Sequence, residues 1–197
     1  MSEGHRNICI INGHPHDGDH YVTALADAYE RGAKDRGYEI SRIDVGKLKI
    51  TPLQDPAEFQ QEPVDAVIRE SQKKIAEAQH VVFFFPMWFG GLPAYTRAFI
   101  ERLGCGGFFL EEGGETGWPH KMMGGKSIRI VMTMGMPSMA YRLIFGAFSL
   151  RGLERSVFGI SGFDPVRHTL IGMVEGMGDK GRRNWIDKLE DMGRNGR

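Results

Sequence analysis

The segment His80-Val-Val-Phe-Phe-Phe85 is apolar at every position after its first and shows no alternation of apolar and polar residues. A strand with one face in water alternates with period two, so a run without alternation must be covered on both faces. Pro86 follows it and has no N–H to extend a ladder. Ile8-Cys-Ile-Ile11, stopped by Asn12-Gly13, has the same character. Strands buried on both faces belong to parallel sheets, and parallel neighbours can be joined only by long, usually helical, crossovers.

Helical patterns occur where those crossovers are needed. Tyr21 to Arg36 places Ala24, Leu25, Ala28, Tyr29 and Gly32 at helical spacing and ends at Gly37, a suitable C-cap. Val64 to Ala78 carries a stripe of Val64, Val67, Ile68 and Ile75, and Leu92 to Leu103 starts with Pro93 and carries Tyr95, Ala98, Phe99 and Leu103. Tyr38 to Asp44 alternates and reads as strand two, and Ser127 to Thr133 reads as strand four. Pro52 to Glu62 and Gly104 to Gly125 read as loops. Met139 to Leu153 reads as helix, Val157-Phe-Gly-Ile160 as strand five and Asp179 to Met192 as a closing amphipathic helix. Alternating strands and helices with right-handed crossovers give an α/β doubly wound, three-layer α/β/α sandwich. The 197 residues suit one domain, residues 1–197. In such a sheet ligands bind outside the carboxyl ends of the strands, so functional residues are expected just after strands one, three and four.

Lys plus Arg is 25 and Asp plus Glu is 25, a net charge of +0 that supplies no general attraction to nucleic acid or an anionic membrane. Any anion must be held by local geometry. Glycine is abundant, 27 of 197 residues against the usual ~7%, which implies many tight backbone positions. Only Cys9 and Cys105 are present, so no disulfide framework is indicated and a cytoplasmic location is expected. Met1 to Asn7 is polar and lacks the apolar core of a signal peptide. The most apolar stretch, Val81 to Tyr95, is interrupted by Pro86, Gly90, Gly91 and Pro93 and is shorter than the ~20 residues of a membrane span.

Several chemistries lose their motif. Gly125-Lys-Ser127 resembles the tail of a phosphate-binding P-loop, but His120 stands where its first glycine belongs and a strand follows. Asn12-Gly-His-Pro-His-Asp-Gly18 lacks the dinucleotide-binding glycine spacing, and Gly159-Ile-Ser-Gly162 lacks the glycine of a nucleophile elbow. His14, His16 and His20 cluster, yet no Cys or carboxylate completes a ligand set at a familiar spacing, so no metal is expected.

Three loops remain. The first runs into a helix whose free N–H groups near Tyr21, Val22 and Thr23 suit a phosphate, with His14 and His20 as donors. The second, Pro86-Met-Trp-Phe-Gly-Gly-Leu-Pro-Ala94, sets Trp88 and Phe89 at a strand end, where large apolar side chains and close backbone approach suit a flat heteroaromatic ring. The third, Thr133-Met-Gly-Met-Pro-Ser-Met-Ala-Tyr141, offers methionines, a glycine and a phenol as a second wall. Phosphate and large flat ring together describe FMN.

The chain resembles the flavodoxin-like NAD(P)H:quinone oxidoreductases, in particular their short bacterial branch, over nearly its whole length. The resemblance is carried by Ile11-Asn-Gly-His-Pro15, Ala24-Leu-Ala-Asp-Ala-Tyr29, Phe85-Pro-Met-Trp-Phe-Gly90 with Leu92-Pro-Ala94, Gly125-Lys-Ser127, Thr133-Met-Gly-Met-Pro137, Tyr141-Arg-Leu143 and Pro165-Val-Arg167. It implies a flavodoxin-like five-stranded parallel sheet in the order 2-1-3-4-5, FMN or FAD as the flavin, and active sites at a homodimer interface. By position, His14, His20, Tyr21 and Val22 would hold the flavin phosphate, Pro86, Met87, Trp88 and Phe89 would line the ring, and Thr133, Gly135 and Tyr141 would complete the site. Two departures stand out. Asp19 and His20 replace the Ser or Thr that many relatives carry just before Tyr21, and Phe148 stands where relatives often have His, so Tyr141 has no histidine partner there.

The implied activity is two-electron, ping-pong transfer from NAD(P)H through the flavin to a quinone or similar acceptor, with Tyr141 as the catalytic hydrogen-bond or proton donor. Two alternatives belong to other classes. A flavodoxin-like electron carrier would be strongly acidic, unlike this neutral chain. A regulatory reductase subunit of a potassium-efflux transporter would touch the transporter's cytosolic face as a peripheral partner.

Overall fold

The computed structural model describes residues 7–111, 113 and 117–196; Met1 to Arg6, which carry most of the polar N-terminal segment read above, lie outside these. The two unbroken apolar runs form β1 (Asn7–Asn12) and β3 (His80–Pro86). Together with β2 (Glu39–Asp44), β6 (Ser127–Thr133) and β7 (Val166–Ile171) they make one five-stranded parallel sheet in the order β2-β1-β3-β6-β7. Numbered among the sheet's own strands this is 2-1-3-4-5, a flavodoxin-like arrangement. Two further two-residue strands, β4 (Leu110–Glu111) and β5 (His120–Lys121), form a small antiparallel pair inside the segment expected to be loop.

Helices cover both faces. On one side α1 (Tyr21–Asp35) and α7 (Gly178–Arg194) pack over Ile8, Ile10, Val82, Phe84 and Val131. These two helices approach unusually closely, because a methyl group on Gly32 or Gly193 would collide with the backbone of the other helix. On the other side α3 (Ala66–Glu77), α4 (Ala94–Leu103) and α6 (Phe148–Gly152) cover Cys9, Val81, Phe83, Phe85, Ile128 and Ile130. Two further short α-helices are α2 (Pro56–Gln60), capped by the Asp55 side chain within the expected loop, and α5 (Ser138–Leu143).

Three expectations are corrected. Val157 to Ile160 is not the fifth strand: Leu153–Gly159 is a π-helix continuing α6, and the strand is Val166–Ile171. A four-residue apolar run cannot by itself separate strand from buried helix, and β7 is an edge strand with Arg167 and His168 exposed, so it never reads as a buried run. Gly159 permits the wider helical turn, since a Cβ there would lie 2.6 Å from the Glu154 carbonyl oxygen. The helix expected over Met139–Leu153 is broken into α5 and α6 by Gly146 and Ala147, both with positive φ, of 62° and 49°. Of the Val64 stripe only Ile68 and Ile75 are buried, while Val64 and Val67 face solvent.

Candidate functional site

The strand order reverses between β1 and β3, and the loops after β1, β3 and β6 meet there at the carboxyl edge of the sheet. The loop after β1 is anchored from below. Gly13 N–H donates to Phe84 O at 2.6 Å, and Thr96 Oγ1 of α4 donates to Gly13 O at 2.5 Å. Gly13 has no room for a side chain: a Cβ would lie 2.8 Å from both the Phe83 ring and the Phe84 carbonyl oxygen. Asn12 Nδ2 donates to Thr23 Oγ1 and Asp44 Oδ1, each at 3.2 Å, which ties the loop to α1 and to the end of β2.

α1 begins with an uncapped N-terminus. Its N-cap, His20, has extended backbone and makes no side-chain cap hydrogen bond, and the first intrahelical bond is Ala24 N–H to His20 O at 3.0 Å. The N–H groups of Tyr21, Val22 and Thr23 precede that bond, and with the helix dipole they form an anion-binding end. The Tyr21 side chain turns away and donates to Arg182 O at 3.2 Å; its part in the site is its backbone. Val22 is buried in the core between α1 and the sheet.

Three imidazoles crowd this end. His14 and His20 stack with ring centroids 3.5 Å apart, and His16 Nδ1 lies 3.0 Å from His20 Nε2. His14 is 8% exposed, and burial pushes its pKa below the ordinary histidine value, opposed by its contact with the His16 carbonyl and reinforced by the neighbouring His20 and His16 rings. Among the described residues no group of three or more His, Cys, Asp or Glu is placed to hold a metal ion.

The Trp88 and His14 rings stand perpendicular with centroids 5.8 Å apart, so the second loop adjoins the first. Trp88 and Gly91 exchange two backbone hydrogen bonds of 3.0 Å, closing a two-residue turn in which Phe89 and Gly90 have φ of 47° and 86°. Such a turn needs left-handed backbone at both central residues, which glycine adopts freely and phenylalanine only at a cost on the order of 1–2 kcal/mol. The turn thrusts Phe89 wholly into solvent and leaves Trp88 48% exposed. Met87 N–H donates to Thr133 O at 2.7 Å and joins this loop to the one after β6. Pro86 and Met87 are partly buried, Thr133 is buried, and Gly135 faces the Glu175 carboxylate, 3.4 Å from where its Cβ would lie.

Tyr141 and Val22 are the most enclosed of the expected residues, each at 3% exposure. The Tyr141 hydroxyl accepts from Leu150 N–H at 3.2 Å and so caps the first turn of α6, leaving its own O–H free to donate elsewhere. Burial pushes its pKa up, the Leu150 hydrogen bond works against this and Glu154 adds to it, so the phenol keeps its proton. Phe148 is 75% exposed and offers no proton-handling group.

The structure thus brings His14, His20, the Tyr21–Thr23 backbone, Trp88 and Thr133 to one edge of the sheet. Sequence reasoning missed Thr96, which fastens the loop from another helix, because one threonine in a helical pattern carries no signal. His16, seen only as part of a histidine cluster, bridges to His20, a link its spacing of four hints at.

The comparisons with known proteins agree with this architecture. A curated NAD(P)H oxidoreductase of Haemophilus influenzae, itself called uncharacterized, is 23% identical over 185 residues, covering 92% of this chain and 91% of the relative. The solved NAD(P)H:quinone oxidoreductase of Methanothermobacter marburgensis superposes with a TM-score of 0.78 at 17% identity, over 96% of both chains. The FMN-dependent NADH-azoreductase of Bacillus anthracis, solved with FMN, gives 0.74 at 13% identity over 96% of this chain and 98% of that one. With a family model described as flavodoxin-like fold matching residues 6–191 of this five-stranded parallel sandwich, the chain belongs to that flavodoxin-like family.

Proposed function

We propose that this protein is an NAD(P)H oxidoreductase that holds FMN at the carboxyl edge of its sheet and transfers two electrons to a quinone or similar acceptor. The observation that carries the reading is the meeting of an uncapped helix N-terminus and a half-exposed tryptophan on either side of His14, a phosphate site beside a ring site. These residues fit FMN: its phosphate would lie against the N–H groups of Tyr21, Val22 and Thr23 with His14 and His20 as donors. Its ring would lie against Pro86, Met87, Trp88, Phe89, Thr133 and Gly135. FAD would set a phosphate in the same loop.

The flavin, when bound, supplies reversible acceptance of a hydride. This chain's residues supply the setting. Trp88 and Gly91 N–H are spent on closing their turn, but the N–H groups of Phe89 and Gly90 within it can stabilise negative charge on a bound ring, an oxyanion-hole type of effect. Tyr141, kept protonated by burial, is suited to donate a hydrogen bond or a proton to the acceptor oxygen. One open face must serve both NAD(P)H and acceptor, which makes the turnover ping-pong.

The apolar surface beside that open face argues for a homodimer. Met139, Leu143, Ile144, Phe145 and Phe148 are exposed next to Trp88 and Phe89, and the two groups adjoin because a Cβ on Gly91 would lie 3.1 Å from Ser149 Oγ. Aromatic side chains bury ~150–250 Å² each, so this face approaches the ~800 Å² per partner of a stable interface. Among the described residues no helix is long and apolar enough to cross a membrane. Two free, buried cysteines support a cytoplasmic location, and we read the chain as a single domain.

The test is direct. One portion of the purified protein is heated and the released cofactor identified by mass, and an unheated portion is mixed rapidly with NAD(P)H and with a quinone in turn. Flavin absorbance should bleach with the first and return with the second. A colourless protein that binds neither FMN nor FAD would overturn the proposal, and a bound flavin that NAD(P)H does not bleach would favour the electron-carrier reading.

A further inference from the structure

The histidine cluster contains more than a phosphate site needs. Donors for one phosphate are present in the α1 N-terminus, His14 and His20, yet His16 joins them through two links. Its Nδ1 lies 3.0 Å from His20 Nε2, and its backbone serves His14 Nδ1 twice, with N–H at 3.2 Å and carbonyl oxygen at 3.0 Å. Two imidazole nitrogens at that separation share one proton, since two N–H groups would face each other. The His14 contacts suit either charge state, because the neutral ring accepts from His16 N–H and the charged ring donates to His16 O. The cluster can therefore gain a proton without turning a ring.

Resting on the reading of this loop as the flavin phosphate site, we propose that His16 is a positioning residue that aims the His20 ring at the phosphate and makes phosphate binding take up a proton. Without an anion, a second charge in the cluster is opposed by the 3.5 Å stack of His14 on His20. A phosphate carrying nearly two negative charges at pH 7 reverses that balance.

The surrounding charges do not duplicate the effect. Asp17 and Asp19 lie in the same loop and are exposed, and Lys47, beyond the end of β2, sits 4.0 Å from Asp17. Asp44 from β2 is engaged by Arg42 and Asn12. Asp27 and Glu30 on α1 are held by Arg42. The Tyr21 phenol points to Arg182 O, the Arg182 guanidinium of α7 lies 6.0 Å from the Tyr21 ring centroid, and the Glu175 carboxylate lies against Gly135 in the loop after β6.

The probes are FMN and riboflavin, which lacks the phosphate, titrated by fluorescence into the full chain freed of its cofactor, from pH 6.0 to 8.5. FMN affinity should fall with rising pH, approaching tenfold per unit for one linked proton, while riboflavin affinity stays flat. His16→Ala removes the ring bonded to His20 and keeps the backbone contacts to His14, so it should weaken FMN and make the slope shallower without changing riboflavin. His16→Asn, whose amide can bond to His20 but cannot take up a proton, should restore FMN affinity at pH 8 and keep the shallower slope. A His16→Ala slope equal to the native one, or a riboflavin slope equal to that of FMN, would overturn the proposal. FMN bound tightly with no pH dependence would defeat it while leaving the flavin reading intact, and failure of both probes at every pH would defeat both.

Discussion

The two ends of β3 are built differently. At its amino end the polar groups are tied down: His80 Nδ1 lies 2.8 Å from Ser127 Oγ, and Lys126 Nζ donates to Ala76 O and Ala78 O at 2.5 and 2.7 Å, closing the last turn of α3. Burial pushes the Lys126 pKa down, the sign of an amine partly withdrawn from water. At the carboxyl end the opposite holds: one helix starts uncapped, a phenylalanine sits at positive φ, and two aromatic side chains reach solvent. The same strand thus ends once in a finished structure and once in an unfinished one. Strain and unmet hydrogen-bonding capacity persist where a ligand or partner would meet them.

The largest effect should come from the middle of the strand, where both ends depend on the core. Phe84→Ala removes a fully buried ring and should cost about 3–5 kcal/mol of stability by denaturant titration. A loss below about 1 kcal/mol would mean that the sheet does not hold the two ends in common.

The next tests confine themselves to the carboxyl end. Tyr141→Phe should slow the half-reaction with acceptor by about 10²-fold while leaving that with NAD(P)H nearly unchanged, as pre-steady-state kinetics would read. Equal slowing of both would reduce Tyr141 to its role as the cap of α6. Trp88→Ala should lower FMN affinity by roughly 1.5–3 kcal/mol with little change in melting temperature, because the ring is half outside the core. A large drop in melting temperature with unchanged affinity would make Trp88 a packing residue and erase the contrast between the two ends.

The smallest effect belongs to the amino end. Lys126→Ala should cost about 1 kcal/mol by removing the charged cap on the α3 carbonyls, with flavin affinity unchanged. Any change in flavin binding would show that the two ends are coupled.

Much of the sheet was legible because its central strands must be apolar throughout, and the helices between them show their period. Helix starts and stops were legible where Pro93 and Gly37 mark them. The site was legible as three loops, since the carboxyl edge of a parallel sheet leaves few other places for Trp88, Phe89 and the His14 loop. Gly125-Lys-Ser127, rejected as a phosphate loop for want of its first glycine, closes the far end of the sheet, a role visible only once α3 lies beside it.

By itself, then, the sequence determined the layered parallel fold and the edge at which chemistry gathers, because burial on both faces leaves its mark at every residue of a central strand. Tertiary structure alone decided that Val166–Ile171 and not Val157–Ile160 is the fifth strand. An edge strand shows water its polar residues, and a short apolar run packs equally well as helix. It also decided the stacking of His14 on His20, the bridge through His16 and the clasp of Thr96 on Gly13. Those contacts depend on where the chain turns back on itself in space, to within the few tenths of an ångström that a hydrogen bond allows, and no local pattern encodes that distance.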